Sequence, residues 1–265
     1  MIVPMSDIKY TIYPLPAALM MEHKLSDRVV NALNQYLENL LKDEKRVSHD
    51  TELVGQIHQG EQLKMEHKHK DLKEFSDLLA TLGVNYIQQF VKLTGGKVNP
   101  KRVEINDLWS VHSYEGDYNP IHDHIVKTPM GISCTTWTKV PAQIGKLGEG
   151  ENQSEEFTLY GASGAVDGFL SFTYGLNQIK DPERLRPSQA RVIKPEVGRL
   201  MIFPSWMQHG VYPFFGEGER RTVAANLNCW DIPPEELMEM RNAQEQNKPN
   251  RKERRRNKKR NKKKG

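Results

Sequence analysis

Apolar positions recur at helical spacing through much of residues 1–100, and beyond Pro100 they come in short runs cut by Gly, Pro and Asn. Residues 8–14, IKYTIYP, read as a β-rich stretch that stops at a Pro-containing turn. From Ser26, which is suited to cap, Val29, Val30, Leu33, Tyr36, Leu37, Leu40 and Leu41 form one apolar stripe and predict a helix. Residues 45–70 are polar, with a short strand or loop around LVGQIHQGEQL. A second helix is expected over about 71–92, with Leu72, Phe75, Leu78, Leu79, Leu82, Tyr86, Ile87 and Phe90 buried, and Gly95–Gly96 end it.

After Pro100 nine β-like runs follow: 103–114, 120–126, 131–140, 155–161, 168–175, 190–195, 198–204, 209–214 and 220–230. Short strands at this density, preceded by helices, predict a mainly β (α+β) protein built on a barrel or sandwich. After Trp230, PPEELMEMRNAQEQ reads as a short helix opened by Pro. The expected organisation is therefore 1–100 as supporting strand and helices, 101–231 as the β core, 232–248 as a C-terminal helix and 249–265 as a disordered tail. No internal repeat is visible.

Charge sharpens the last boundary. Residues 251–264, RKERRRNKKRNKKK, hold eleven Lys or Arg against one Glu. Removing that +10 from the net +4 of the 265 residues leaves −6 for the rest. A segment so basic and so free of apolar residues cannot pack, so disorder is expected. Its lysines and arginines would bind nucleic-acid phosphates weakly and without sequence preference, and it carries no aromatic for base stacking. Cys134 and Cys229 make no disulfide framework and read as small core residues. No basic leader precedes a long apolar run, and no stretch nears the ~18 apolar residues of a membrane span. A cytoplasmic location is expected.

Candidate chemistry begins at Gly116-Asp-Tyr-Asn-Pro-Ile-His122-Asp-His124. Residues i and i+2 of a strand share a face, so His122 and His124 can hold one metal jointly. A His-x-His pair is a weak signal alone, and His67-Lys-His69 is a second instance, read as a solvated turn. The first pair has company downstream: VGRLMIFPSWMQHGVYP places His209 at the start of a late strand. Arg220 then opens a further strand, with Thr222 and Asn226 on its face.

Residues 103–228 resemble the 2-oxoglutarate/Fe(II) oxygenase family, and prolyl hydroxylases more distantly. The resemblance rests on WSVHSYEGDYNPIHDH, GISCTTWTKVP, GRLMIFPSWMQHGVYPF and RRTVAANLN, in that order. It implies a double-stranded β-helix (jelly roll, cupin-like), Fe(II) on His122, His124 and His209, 2-oxoglutarate as co-substrate, and O2. It implies a hydroxylase releasing succinate and CO2. Three protein ligands leave three octahedral positions for a chelating 2-oxo acid and dioxygen. The far carboxylate of the co-substrate then needs a fixed cation, which an Arg fork supplies. Arg220 with Thr222 fits by parity, and Arg221 is the alternative if the register slips by one. Trp137 falls where the family has a pocket aromatic, Tyr114 is near it, and Asn226 shares Arg220's face.

The chain departs from the wider superfamily at His124, where most relatives carry Asp. Asp123 would need a bulge to substitute for it. An all-histidine triad also matches cupin-type dioxygenases that do not use 2-oxoglutarate. Three readings stay open: the 2-oxoglutarate oxygenase, the three-His dioxygenase, and a non-enzymatic nucleic-acid binder acting through its tail. His112 reads as a hydrogen-bonded interior histidine, Trp109 and Trp206 as packing residues, and 203–205 as a turn. No substrate can be read from loops 142–156 and 176–189.

Overall fold

Ser26 sets the first helix, its side chain accepting the Val29 amide at 3.4 Å and leaving Asp27 in the first turn to meet the helix dipole. The computed structural model describes residues 9–15, 18–94, 100, 102–124, 131–147, 166–174, 189–231 and 238–239. Helix α1 is Asp27–Lys42, and α2 is Lys73–Thr94 after a 3-10 turn at Lys70–Leu72. A third, short helix, α3, is Ala142–Gly145. No helix among the described residues is long and apolar enough to cross a membrane.

The strands are β1 Tyr10–Leu15, β2 Ala18–Lys24, β3 Glu61–Lys64, β4 Arg102–Ser113, β5 Asn119–His122, β6 Ile132–Lys139, β7 Leu170–Tyr174, β8 Gln189–Ile193, β9 Arg199–Pro204, β10 Gln208–Val211 and β11 Arg220–Trp230. They make a seven-stranded sheet in the order β1-β2-β9-β6-β11-β4-β3 and a four-stranded sheet in the order β5-β10-β7-β8. From β4 onward the chain passes back and forth between the sheets, and paired strands within each sheet are antiparallel. That is the double-stranded β-helix.

The large sheet is buried on both faces. Its outer face packs against α1 and α2, where Leu33, Leu37, Leu79 and Leu82 meet Leu108, Ile132, Val223, Ala225 and Leu227. Gly83 marks a close approach of α2 to the sheet, since a Cβ there would lie 2.8 Å from Val103 Cγ1. The inner face joins the small sheet through Trp137, Phe172, Met201, Phe203 and Met207. On β11, therefore, Val223, Ala225 and Leu227 look outward, and Thr222, Ala224 and Asn226 look into the barrel.

β2 departs from the sequence reading, which stopped after residue 14. Leu19, Met20 and Met21 are all buried, with Met21 in the outer core and Met20 in the inner one, so no alternation marks the strand. The polar stretch 45–70 supplies β3, which edges the large sheet beside β4. The expected strand 155–161 and tail 249–265 lie outside the described residues. So does the expected helix 232–248, apart from Met238 and Glu239, which are helical.

Candidate metal centre

His122 closes β5 and faces His209 of β10 in the antiparallel register, and His124 follows two residues beyond the strand's end. Each of the three offers one ligand atom, and those atoms lie within 4.8 Å of one another. Ring centroids are 4.3 Å apart for His122–His209, 4.9 Å for His124–His209 and 5.2 Å for His122–His124. Asp123 is exposed and does not join them. His67 and His69 stay apart as well; His69 accepts the Asp71 amide at the 3-10 turn.

Each imidazole is held from behind. His122 Nδ1–H donates to the Pro120 carbonyl at 2.7 Å, and His209 Nδ1–H donates to the Met207 carbonyl at 2.9 Å. A histidine that gives Nδ1–H to a carbonyl keeps its Nε2 lone pair bare for a metal. Burial supports the neutral form, because desolvation penalises the imidazolium. It pushes His209 down to about 3, with a further push from His124 and His122, and His124 down to about 4. His122 is lowered by burial too.

The backbone around the site is pinned at one corner. Ser205 O accepts the His124 amide at 2.8 Å, Ser205 N donates to Gly131 O at 3.1 Å, and Met207 N donates to Pro204 O at 2.9 Å. Trp206, between two buried residues of that corner, is 54% exposed, in contrast to the packing role read from sequence. Trp109 packs in the core, and its ring also lies 5.6 Å from that of His124.

Arg220 begins β11 inside the barrel, 1% exposed. Nη1 donates to Gly168 O at 3.0 Å and Tyr212 O at 3.5 Å, and Nη2 donates to Ser113 Oγ at 3.1 Å. A guanidinium has five N–H groups. Among the described residues the Nε–H has no acceptor, and Nη2 keeps a second hydrogen. These two lie on one edge of the fork, the edge that takes a carboxylate side-on. No carboxylate forms an ion pair with Arg220 among the described residues. The nearest influence is Asp117, whose oxygens already accept the amides of His58, Gln59 and Tyr114. Burial pulls Arg220 down to about 10.

Arg221 points the other way. It pairs with Glu219 at 2.7 Å and with Glu38 of α1 at 2.9 Å, and donates to Asn34, on the outer face of the sheet. Of the two arginines, Arg220 is the one that faces into the barrel. Tyr114 also falls outside the barrel, a correction to its reading as a co-substrate residue. Its hydroxyl responds first to burial and then to Glu219, Arg221 and Lys139, the groups of that same outer network. His112 belongs there too, bonded to Glu219 at 2.7 Å and Ser110 at 3.0 Å.

Trp137 and Thr222 are Cα partners across β6 and β11 on the inner face. Asn226 faces inward as expected, but its amide oxygen lies 2.7 Å from His124 Nδ1. Ser133 Oγ is 2.9 Å from the same nitrogen, 2.7 Å from Asn226 Oδ1 and 3.0 Å from Ser205 Oγ. Ser133, Ser113 and Gly168 had no mark in the sequence beyond parity or a turn. The six residues from Asn226 back to Arg220 span about 20 Å of strand. Arg220 and the His124–Asn226 pair are thus set apart along one inward face of β11.

Residues 107–226 match the model of a family described as 2OG-Fe(II) oxygenase. The chain is similar in fold to AviO1 from Streptomyces viridochromogenes Tue57, at 14% identity over 81% of this chain and 91% of that one, TM-score 0.47. It is similar to a Pseudomonas putida prolyl-4-hydroxylase at 11% identity over 84% and 94%, TM-score 0.47. It is also similar to HygX from Streptomyces hygroscopicus, solved with nickel, 2-oxoglutarate and hygromycin B, at 9% identity over 79% and 82%, TM-score 0.47. No curated protein sequence matches. The metal and co-substrate of this oxygenase family are Fe(II) and 2-oxoglutarate, with O2. The chain fits both: three bare imidazole nitrogens suit a divalent ion, and the unpartnered Arg220 edge suits a carboxylate.

Proposed function

We propose that the protein is a 2-oxoglutarate-dependent hydroxylase, converting 2-oxoglutarate and O2 to succinate and CO2 while one oxygen atom enters a substrate C–H bond. His122, His124 and His209 hold the iron, which when bound supplies the redox chemistry that activates dioxygen. Arg220 takes the far carboxylate of the co-substrate on its Nε–Nη2 edge, and Thr222 adds a hydroxyl from the same face. Trp137 lies beside Thr222, and Phe172 and Phe203 pack against His209, so apolar rings line the space and exclude water.

The observation that carries this reading is Arg220, a fully buried guanidinium with an open carboxylate edge on the metal's side of the sheet. An all-histidine triad alone suits oxygen chemistry without 2-oxoglutarate equally well. A buried, unpaired cation does not belong in such a site, because it is costly unless an anion joins it. Segment 251–264 would add salt-sensitive phosphate contacts to whatever the barrel binds.

The test is succinate formation from 2-oxoglutarate by the iron-loaded protein in air, measured for wild type and His209→Ala. Slow succinate release without added substrate is expected from wild type and none from the variant. Oxygen uptake without succinate would favour the three-His dioxygenase.

A further inference from the structure

We propose that Asn226 is a positioning residue for the metal centre: with Ser133 it fixes the tautomer and orientation of His124, and it does not bind the co-substrate. This rests on the metal reading above. A carboxylate ligand has no tautomer to choose, whereas a histidine in its place must present one bare nitrogen. His122 and His209 solve that locally, each giving Nδ1–H to the carbonyl two residues before it. His124 stands beyond the end of β5, and its Nδ1 turns instead to the side chains of β6 and β11.

The acceptor there is built from two directions. Asn226 and Ser133 are Cα partners across β11 and β6, so the strand register itself sets the amide oxygen opposite the ring. The contacts to Asn226 Oδ1 from His124 Nδ1 and Ser133 Oγ are both 2.7 Å. An amide oxygen that receives a serine hydroxyl is held oxygen-first toward the histidine. His124 then donates through Nδ1 and keeps Nε2 bare. Had the amide nitrogen faced the ring, His124 Nε2 would carry the proton and could not ligate. The Ser133–Ser205 contact at 3.0 Å joins this unit to the corner that also holds the His124 amide. Asn226 adds no charge, so the triad stays neutral and the bound ion keeps its attraction for a dicarboxylate.

Calorimetric titration of the full chain separates this role from a co-substrate role. Mn(II) is titrated without 2-oxoglutarate, and 2-oxoglutarate is then titrated at saturating Mn(II). Asn226→Leu is expected to lower Mn(II) affinity by about 10–100-fold, the usual cost of losing an outer partner. Its 2-oxoglutarate affinity at saturating metal should stay at the wild-type value. Asn226→Asp keeps an acceptor oxygen and should hold Mn(II) at least as tightly as wild type. Ser133→Ala, which leaves Asn226 in place, should weaken Mn(II) binding less than Asn226→Leu, and it provides the reading if the leucine variant does not fold. Wild-type Mn(II) affinity in both Asn226→Leu and Ser133→Ala would overturn the proposal, as would a loss confined to 2-oxoglutarate. Failure of wild type to bind Mn(II) would overturn the metal reading itself.

Discussion

Arg220→Ala is expected to bind 2-oxoglutarate about 30- to 4,000-fold more weakly than wild type when both carry metal. That range corresponds to the 2–5 kcal/mol lost when one partner of a buried, hydrogen-bonded charge pair is truncated. The large effect follows from the surroundings of the guanidinium. Nη1 is spent on Gly168 and Tyr212 and one hydrogen of Nη2 on Ser113, contacts that aim the side chain and carry no charge. The positive charge is left for the ligand, and no other inward-facing cation among the residues of β11 can replace it. Arg220→Lys keeps the charge and loses the two-point fork, so its affinity falls between the two. Metal affinity measured without 2-oxoglutarate stays near wild type in both variants. An alanine variant that binds 2-oxoglutarate normally would place the carboxylate elsewhere.

His209→Ala has the second large effect, and it is read on the metal. His209 sits at the centre of the site, close to both partners and 6% exposed. Removing it leaves two ligands, and Mn(II) affinity should fall by more than the 10–100-fold typical of an outer partner. The metal-free protein supplies an independent readout. His209 is held near 3 in the fold and returns to about 6.5 when unfolded. As pH falls from 6.5 toward 3, the unfolded chain takes up a proton that the folded chain refuses, so stability drops. The contribution is at most about 1.4 kcal/mol per pH unit. Urea midpoints between pH 7 and 4.5 should therefore fall less steeply for His209→Ala than for wild type. An equal slope would mean that His209 titrates normally in the fold.

Much of the site could be read in the sequence because strand parity carries it. His122 and His124 are two apart, Arg220 and Thr222 are two apart, and the chain order of the strands did the rest. The Arg220–Arg221 choice needed α1, since only Glu38 and Asn34 show which arginine faces outward. Tyr114 was misplaced because nearness in sequence to the histidines does not decide the face: it follows His112 by two and shares that residue's outer surroundings. The role of Asn226 was hidden for a different reason. Its partner His124 is 102 residues away, and no spacing in the sequence links the two. The helices showed their stripes plainly, whereas β2, buried on both faces, had no pattern to show.

A single site in which three histidines and Arg220 hold iron and 2-oxoglutarate together is tested most directly by the visible spectrum of the protein with Fe(II) and 2-oxoglutarate in the absence of oxygen. Wild type should develop a weak charge-transfer band that needs both additions, is lost in His122→Ala, and in Arg220→Ala requires far more 2-oxoglutarate. Iron that binds to wild type while 2-oxoglutarate produces no band at any concentration would contradict it.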